Sequence, residues 1–223
     1  MNHSIVKQLI RKDLQIMKIP AMLYWLGGIL SIVIAITGGD TSGLVAMILF
    51  VAALFGAGVH AAFQCVVQER KDQTLAFIMS LPVTVKEYTT AKIAANLLLI
   101  GGVWITLSAA SYIIFIGESM PVGAVPFVTI ILVAIFFAYI LVLATTLIFE
   151  TEAAAITAIV AANLGTQAVL WWLSDLHGIR SVIGGQVAVW NSTVLTTLGC
   201  QFGLIGLLLV LTFYLQSRKT AFV

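Results

Sequence analysis

Six long apolar runs, none with an Asp, Glu, Lys or Arg in its interior, dominate the chain and restrict what it can fold into. They lie at approximately Pro20–Thr37, Gly43–Val67, Ile93–Ile116, Phe127–Phe149, Ala153–Trp172 and Thr197–Leu215. A helix crosses a hydrocarbon core with about 20 mainly apolar residues. Backbone polar groups in lipid need internal partners, so each run is expected as a helix, and the alternation of barrel strands is absent. The expected fold is therefore all-α: a polytopic membrane protein with six transmembrane helices, residues 1–223 forming a single transmembrane domain. Only 9% of the 223 residues are charged, against roughly 25% in an average soluble domain. Such a surface could not face water, and six spans leave no length for a separate soluble domain.

The few charges are placed asymmetrically. Lys7, Arg11, Lys12 and Lys18 precede the first run, Arg70, Lys71, Lys86 and Lys92 follow the second, and Arg218 and Lys219 end the chain. All of these fall on one side of a six-span protein, and only Arg180 falls on the other. Basic residues accumulate in cytoplasmic loops, so both termini are expected in the cytoplasm, and the protein in the cytoplasmic (inner) membrane of a bacterium. With five apolar runs after the first, the basic start reads as part of a multi-pass protein and not as a cleaved secretory signal.

Residues 4–18 have a different pattern. Val6, Ile10, Leu14 and Met17 recur at helical spacing with Ile5 and Leu9 beside them, and Lys7, Arg11, Lys12, Gln15 and Lys18 take the other side. That is the pattern of an amphipathic interfacial helix with its bases near anionic lipid headgroups. A solvated basic leader is the plainer reading. The segment Gln68–Lys92 is the longest loop on the basic side. Leu75, Ile78 and Met79 form one face of a short helix that Pro82 stops, and Thr84 with Glu87 three residues on makes a capping box for the next helix. On the opposite side lie a short turn at Gly38–Ser42, a Pro-bounded one at Glu118–Pro126, and the longer stretch Leu173–Thr196, read as short helices dipping into the interface beside Trp171 and Trp172.

The uncharged spans bear on mechanism. A charge at mid-bilayer costs at least ~2.5–3.5 kcal/mol and is kept mainly for ion coupling, proton relay or voltage sensing. With none present, coupling to a proton gradient has no evident apparatus. His60 is the lone titratable group in a span, and an isolated helical His reads first as a hydrogen-bonded packing residue and second as a functional one. His3, His60 and His177 fall at three depths, which argues against metal-dependent or serine-hydrolase chemistry in the membrane. No catalytic residues are assigned. Cys65 and Cys200 lie near opposite faces and read as small hydrophobes, with no disulfide and no metal site. Asn191-Ser192-Thr193 matches a glycosylation sequon that matters only in a eukaryotic secretory pathway. There is no GxxxxGK[ST] phosphate loop, so no ATP site is expected in this chain.

Small residues recur in the spans. Ala154, Ala158, Ala161, Ala162, Gly165 and Ala168 repeat in the fifth, and Ala52 with Gly56 and Gly58 with Ala62 are four apart in the second. Close helix packing is the default reading. Asn163, Thr166 and Gln167 in the fifth span either make interhelical hydrogen bonds or line a path for a polar or amphipathic cargo.

Together these features resemble the membrane subunits of bacterial ATP-binding-cassette exporters of the type-2 permease family, in their small six-span form. The likeness rests on Val6–Lys18 (VKQLIRKDLQIMK), on Glu69–Lys92 (ERKDQTLAFIMSLPVTVKEYTTAK) and on the six-span plan with a longer outer segment before the last span. The resemblance implies a second permease subunit, identical or related, and a separate cytoplasmic ATPase carrying the ATP and Mg. It implies that Glu69, Thr74, Leu75, Ile78, Leu81 and Pro82, with the amphipathic entry, dock that ATPase, and that the first, second and fifth spans line the route. In this chain Val83-Thr84-Val85 stand where the family often has a basic residue after Ser-Leu-Pro. No cofactor of the chain's own and no nucleic-acid partner are expected; membrane lipid is. The expected function is export of an amphipathic or hydrophobic substrate by a non-enzymatic transport subunit. The alternatives are a membrane immunity or scaffold protein acting against a membrane-active peptide, and, with little support, an intramembrane enzyme.

Overall fold

A computed structural model describes residues 3–38, 42–73, 78, 83–117 and 120–219. Those residues form helices and connections with no strand among them. Six helices are long and apolar enough to cross a membrane. They are α1 (His3–Thr37), α2 (Ser42–Lys71), α3 (Val85–Ser111, continued by a turn at Ile113–Ile116), α4 (Val125–Phe149), α5 (Glu152–Asp175) and α7 (Ser192–Ser217); the short α6 (His177–Ile183) lies between the last two.

Each observed helix contains the apolar run expected there and extends past it. The largest extension is at the start. The amphipathic segment is the first part of α1, a single helix of 35 residues with Pro20 inside it. At about 1.5 Å per residue such a helix is far longer than a ~30 Å hydrocarbon core. Pro20 lacks an N–H, so the carbonyl four residues earlier, on Ile16, loses its intrahelical partner. The apolar side of this segment meets protein: Val6 and Leu9 pack with Ile78, Tyr88 and Ala91. α1 and α3 thus run side by side through their first turns.

α4 is the centre of the bundle. It is rich in Val, Ile and Leu, and 61% of its apolar window is buried, against 17% for α5. Tyr139 of α4 is fully enclosed among Met17, Ala57, Ala61, Val133, Leu143 and Ala162 and their neighbours. Gly58 on α2 makes room for that ring: a Cβ there would lie 2.5 Å from Tyr139 Cδ2. The small residues of α5 divide between two sides. Ala158 and Ala162 are buried, whereas Ala161, Gly165 and Ala168 are exposed. Several hydroxyls in the spans bond back to their own helix, as in Thr146 to Val142 O (2.6 Å) and Thr129 to Val125 O (2.8 Å), which satisfies those groups without water; the buried Thr89 and Ser108 hydroxyls have no such partner among the described residues.

Helix ends follow the expected chemistry. Thr84 and Glu87 form the capping box of α3: Thr84 Oγ1 accepts the Glu87 N–H at 3.3 Å, and Glu87 Oε2 accepts the Thr84 N–H at 3.0 Å. α4 ends at Glu150, in the left-handed region with φ 56°, and Thr151 then caps α5. At the far end of the bundle Ile179 of α6 is fully buried with Ile130, Leu173 and Val194. There the Gly123 N–H donates to Gly185 O at 2.8 Å. The stretch 176–191 is thus one short helix followed by irregular chain, closed against the bundle, with Val187, Val189 and Trp190 exposed.

Candidate functional site: a buried ionic node at the basic end

The end of the bundle carrying the N-terminus is built differently from the rest. α2 reaches it through a widened π-helical turn at Phe63–Val67, after which Gln68–Lys71 resume the α-helix. This places successive residues of α2 on different neighbours. Glu69 points between α1 and α3, and Arg70 points to the α4–α5 turn.

Four side chains converge around Glu69. Lys92 of α3 is only 1% exposed and Asp13 of α1 only 2%. Lys92 Nζ donates to Asp13 Oδ1 at 3.0 Å, to Asp13 Oδ2 at 2.8 Å and to Glu69 Oε1 at 2.7 Å. Lys12 also donates to Glu69 Oε1, and Tyr88 OH donates to Glu69 Oε2 at 3.0 Å. An ammonium has three donors, and all those of Lys92 find carboxylate oxygens. Taking ions out of water costs several kcal/mol each and is tolerated only with such complete pairing. Two lysines face two carboxylates, so the node carries no net formal charge.

From Lys92 the polar contacts run inward. Asn96 Nδ2 donates to the Lys92 carbonyl at 3.0 Å, and Tyr139 OH donates to Asn96 Oδ1 at 3.5 Å. A second, more open cluster centres on Glu150. Arg70 reaches Glu150 Oε2 at 2.8 Å, Lys219 reaches Oε1 at 2.7 Å, and Lys71 pairs with Glu152 at 2.5 Å. Lys219 also donates to Ile148 O at 2.7 Å, which ties the end of α7 to the end of α4.

The residues expected to dock a partner divide in three ways. Glu69 lies in the node, its two oxygens held by Lys12, Lys92 and Tyr88. Ile78 is buried against Val6, Leu9, Tyr88 and Ala91. Thr74, Leu75, Leu81 and Pro82, with the short helix expected there, lie outside the described residues. The residues expected along a route are on one helix. Asn163 and Gln167 are exposed on α5 and bond each other, Gln167 Nε2 to Asn163 Oδ1 at 2.6 Å, with Thr166 partly buried between them. Among the described residues no hydrogen bond joins the Asn163–Gln167 pair to another helix. His60 has its Nδ1 3.3 Å from Tyr24 OH, an α1–α2 contact.

Asp13, Tyr88 and Lys92 were not singled out by sequence reasoning as a site. One signal for Asp13 was present. It shares the helix face of Val6, Leu9 and Met17, where an unpaired acid would be costly, so a basic partner on another element was required.

Six apolar helices, with α4 at their centre and the buried ion pairs gathered at one end, define a polytopic all-α membrane protein. Residues 8–218 match the family described as ABC-2 family transporter protein, and the chain belongs to that family. No curated protein and no solved structure matches it.

Proposed function

We propose that the chain is the membrane-spanning permease subunit of an ATP-driven exporter. A separate cytoplasmic ATP-binding-cassette ATPase supplies the energy, and a second permease subunit, identical or related, completes the route. Family membership supports a transport subunit; the reading of the basic end as the cytoplasmic, ATPase-facing end is supported by one observation. The segment 74–82 leaves α2 just after a buried ionic anchor and enters α3 at a complete capping box. A loop anchored at both ends suits a handle that must transmit force. On this reading Thr74, Leu75, Leu81 and Pro82 supply the gripping surface. Glu69 and Ile78 take a supporting role, since their side chains are covered by the chain's own residues.

The cargo class follows from what the exposed spans offer. α1, α2 and α5 present aliphatic surface with a few neutral polar groups, among them the Asn163–Gln167 pair. Such a wall suits an amphipathic or hydrophobic substrate, with amides able to hydrogen-bond a polar portion. The ATP and Mg belong to the partner.

The test is co-expression with an ATP-binding-cassette ATPase from the same organism, followed by purification. A stable complex is expected, and replacing Leu75 and Leu81 by Ser should cut the bound ATPase without reducing membrane insertion. Undiminished ATPase binding by that variant would contradict the docking assignment. A wild-type chain that binds no ATPase and yet protects cells from a membrane-active peptide would favour an immunity role.

A further inference from the structure

The node at Lys92 lies where a force applied to residues 74–82 must divide. Those residues are joined covalently to α2 and α3 but not to α1, which the whole of α2 separates from them in the chain. Within this chain, movement of the segment reaches α1 through non-covalent contacts. Two kinds are present. Val6 and Leu9 of α1 touch Ile78, Tyr88 and Ala91 through apolar surface, which has no directional preference. The ionic contacts do have one: Lys92 of α3 holds both oxygens of Asp13 of α1 and one of Glu69 of α2, and Lys12 of α1 holds the same Glu69 oxygen. Sliding α1 by one turn would leave these buried ions unpaired, an arrangement of high cost. Packed, fully paired contacts of this sort resist small displacements and transmit them.

We propose that Lys92 is a positioning residue for transport, which joins the starts of α1 and α3 and the end of α2 into one rigid body so that displacement of residues 74–82 is delivered to α1. This rests on the reading above that an ATPase grips that segment. It differs from a stabilising role in one consequence. Replacing a buried ion cluster by neutral groups of similar size often leaves stability unchanged or raised. A node that only stabilises can therefore be neutralised as a set without harm, whereas a node that transmits movement cannot.

The experiment uses the reconstituted complex of the full chain with its ATPase. The node is neutralised as a set by Lys12→Met, Asp13→Leu, Glu69→Gln and Lys92→Met. Spin labels at exposed sites (Lys7→Cys on α1 or Lys86→Cys on α3, each paired with Leu207→Cys on α7, in a Cys200→Ser background) report distances with and without ATP and vanadate. In the otherwise native chain both distances are expected to change with nucleotide. In the neutral set the complex, its ATP hydrolysis and the change at residue 86 should persist, and the change at residue 7 should be lost. An unaltered change at residue 7 would overturn the proposal, as would its absence from the native node. Where the neutral set fails to fold, Asp13→Asn with Lys92→Met, which leaves Lys12 paired with Glu69, serves instead. It should lose the change at residue 7, and a folded variant that keeps that change overturns the proposal equally. Failure of the wild-type chain to bind any ATPase would remove the reading on which the proposal stands, and is seen before any label is introduced.

Discussion

The basic end and the apolar interior of the bundle are held together by opposite means. In the interior, α4 is surrounded by aliphatic and small side chains, and several hydroxyls bond back to their own helices. At the basic end a small apolar cluster is supplemented by ionic cross-links, one set buried around Lys92 and one half-open around Glu150. The interior can adapt because van der Waals packing tolerates small shifts at modest cost, whereas a buried ion pair loses much of its compensation once its partner moves. The difference teaches where the molecule is expected to be stiff: at the end where a motor would act, and less so where cargo would pass.

The strongest challenge to that contrast is to break the buried node on one side only. Lys92→Met leaves the buried Asp13 with only Lys12, 3.6 Å away and already bonded to Glu69, and should destabilise the chain by ~3–5 kcal/mol. Thermal unfolding in detergent measures this, and a loss below that of a surface substitution would mean the node is open to water. Next comes the interior. Gly58→Ala puts a methyl 2.5 Å from the enclosed ring of Tyr139, and overpacking of this kind costs typically 1–3 kcal/mol, that is, about 2 kcal/mol here. The same assay should show a clear drop; none would mean that α2 and α4 can separate freely. A smaller effect is expected at the entry to α3, where Thr84→Ala removes the cap and should cost about 1 kcal/mol. Smallest of all is Lys71→Ala at the exposed pair with Glu152, expected within about 0–1 kcal/mol and weaker still in high salt. A loss there as large as that at Lys92 would erase the distinction between buried and open ions.

Much of the fold was legible in the chain because a membrane leaves few choices. Uncharged runs of the right length become helices, and all six do. The Thr84–Glu87 cap was legible because both partners are three residues apart and need nothing distant. The ionic node was harder to see because its members come from Lys12, Asp13, Glu69, Tyr88 and Lys92, brought together only by packing of α1, α2 and α3. Counting lysines for topology treated Lys92 as a solvated loop charge, whereas it is among the most buried side chains. The separate interfacial helix at residues 4–18 merged with the first span for a related reason. Its apolar face found protein, in Ile78, Tyr88 and Ala91, where lipid had been expected. The exposed face of α5 shows the reverse case: Asn163 and Gln167 were legible as a pair one turn apart, but a helix so little covered by its own chain leaves their outer partner to another molecule.

The account depends most on the side of the membrane that the basic end faces. Lys86→Cys in a Cys200→Ser background places a reactive thiol at an exposed position beside the capped start of α3. With an impermeant maleimide, no labelling is predicted in intact cells and full labelling after the membrane is opened. Labelling of intact cells would put the segment 74–82 outside, where no ATP-driven subunit could reach it, and would contradict the account.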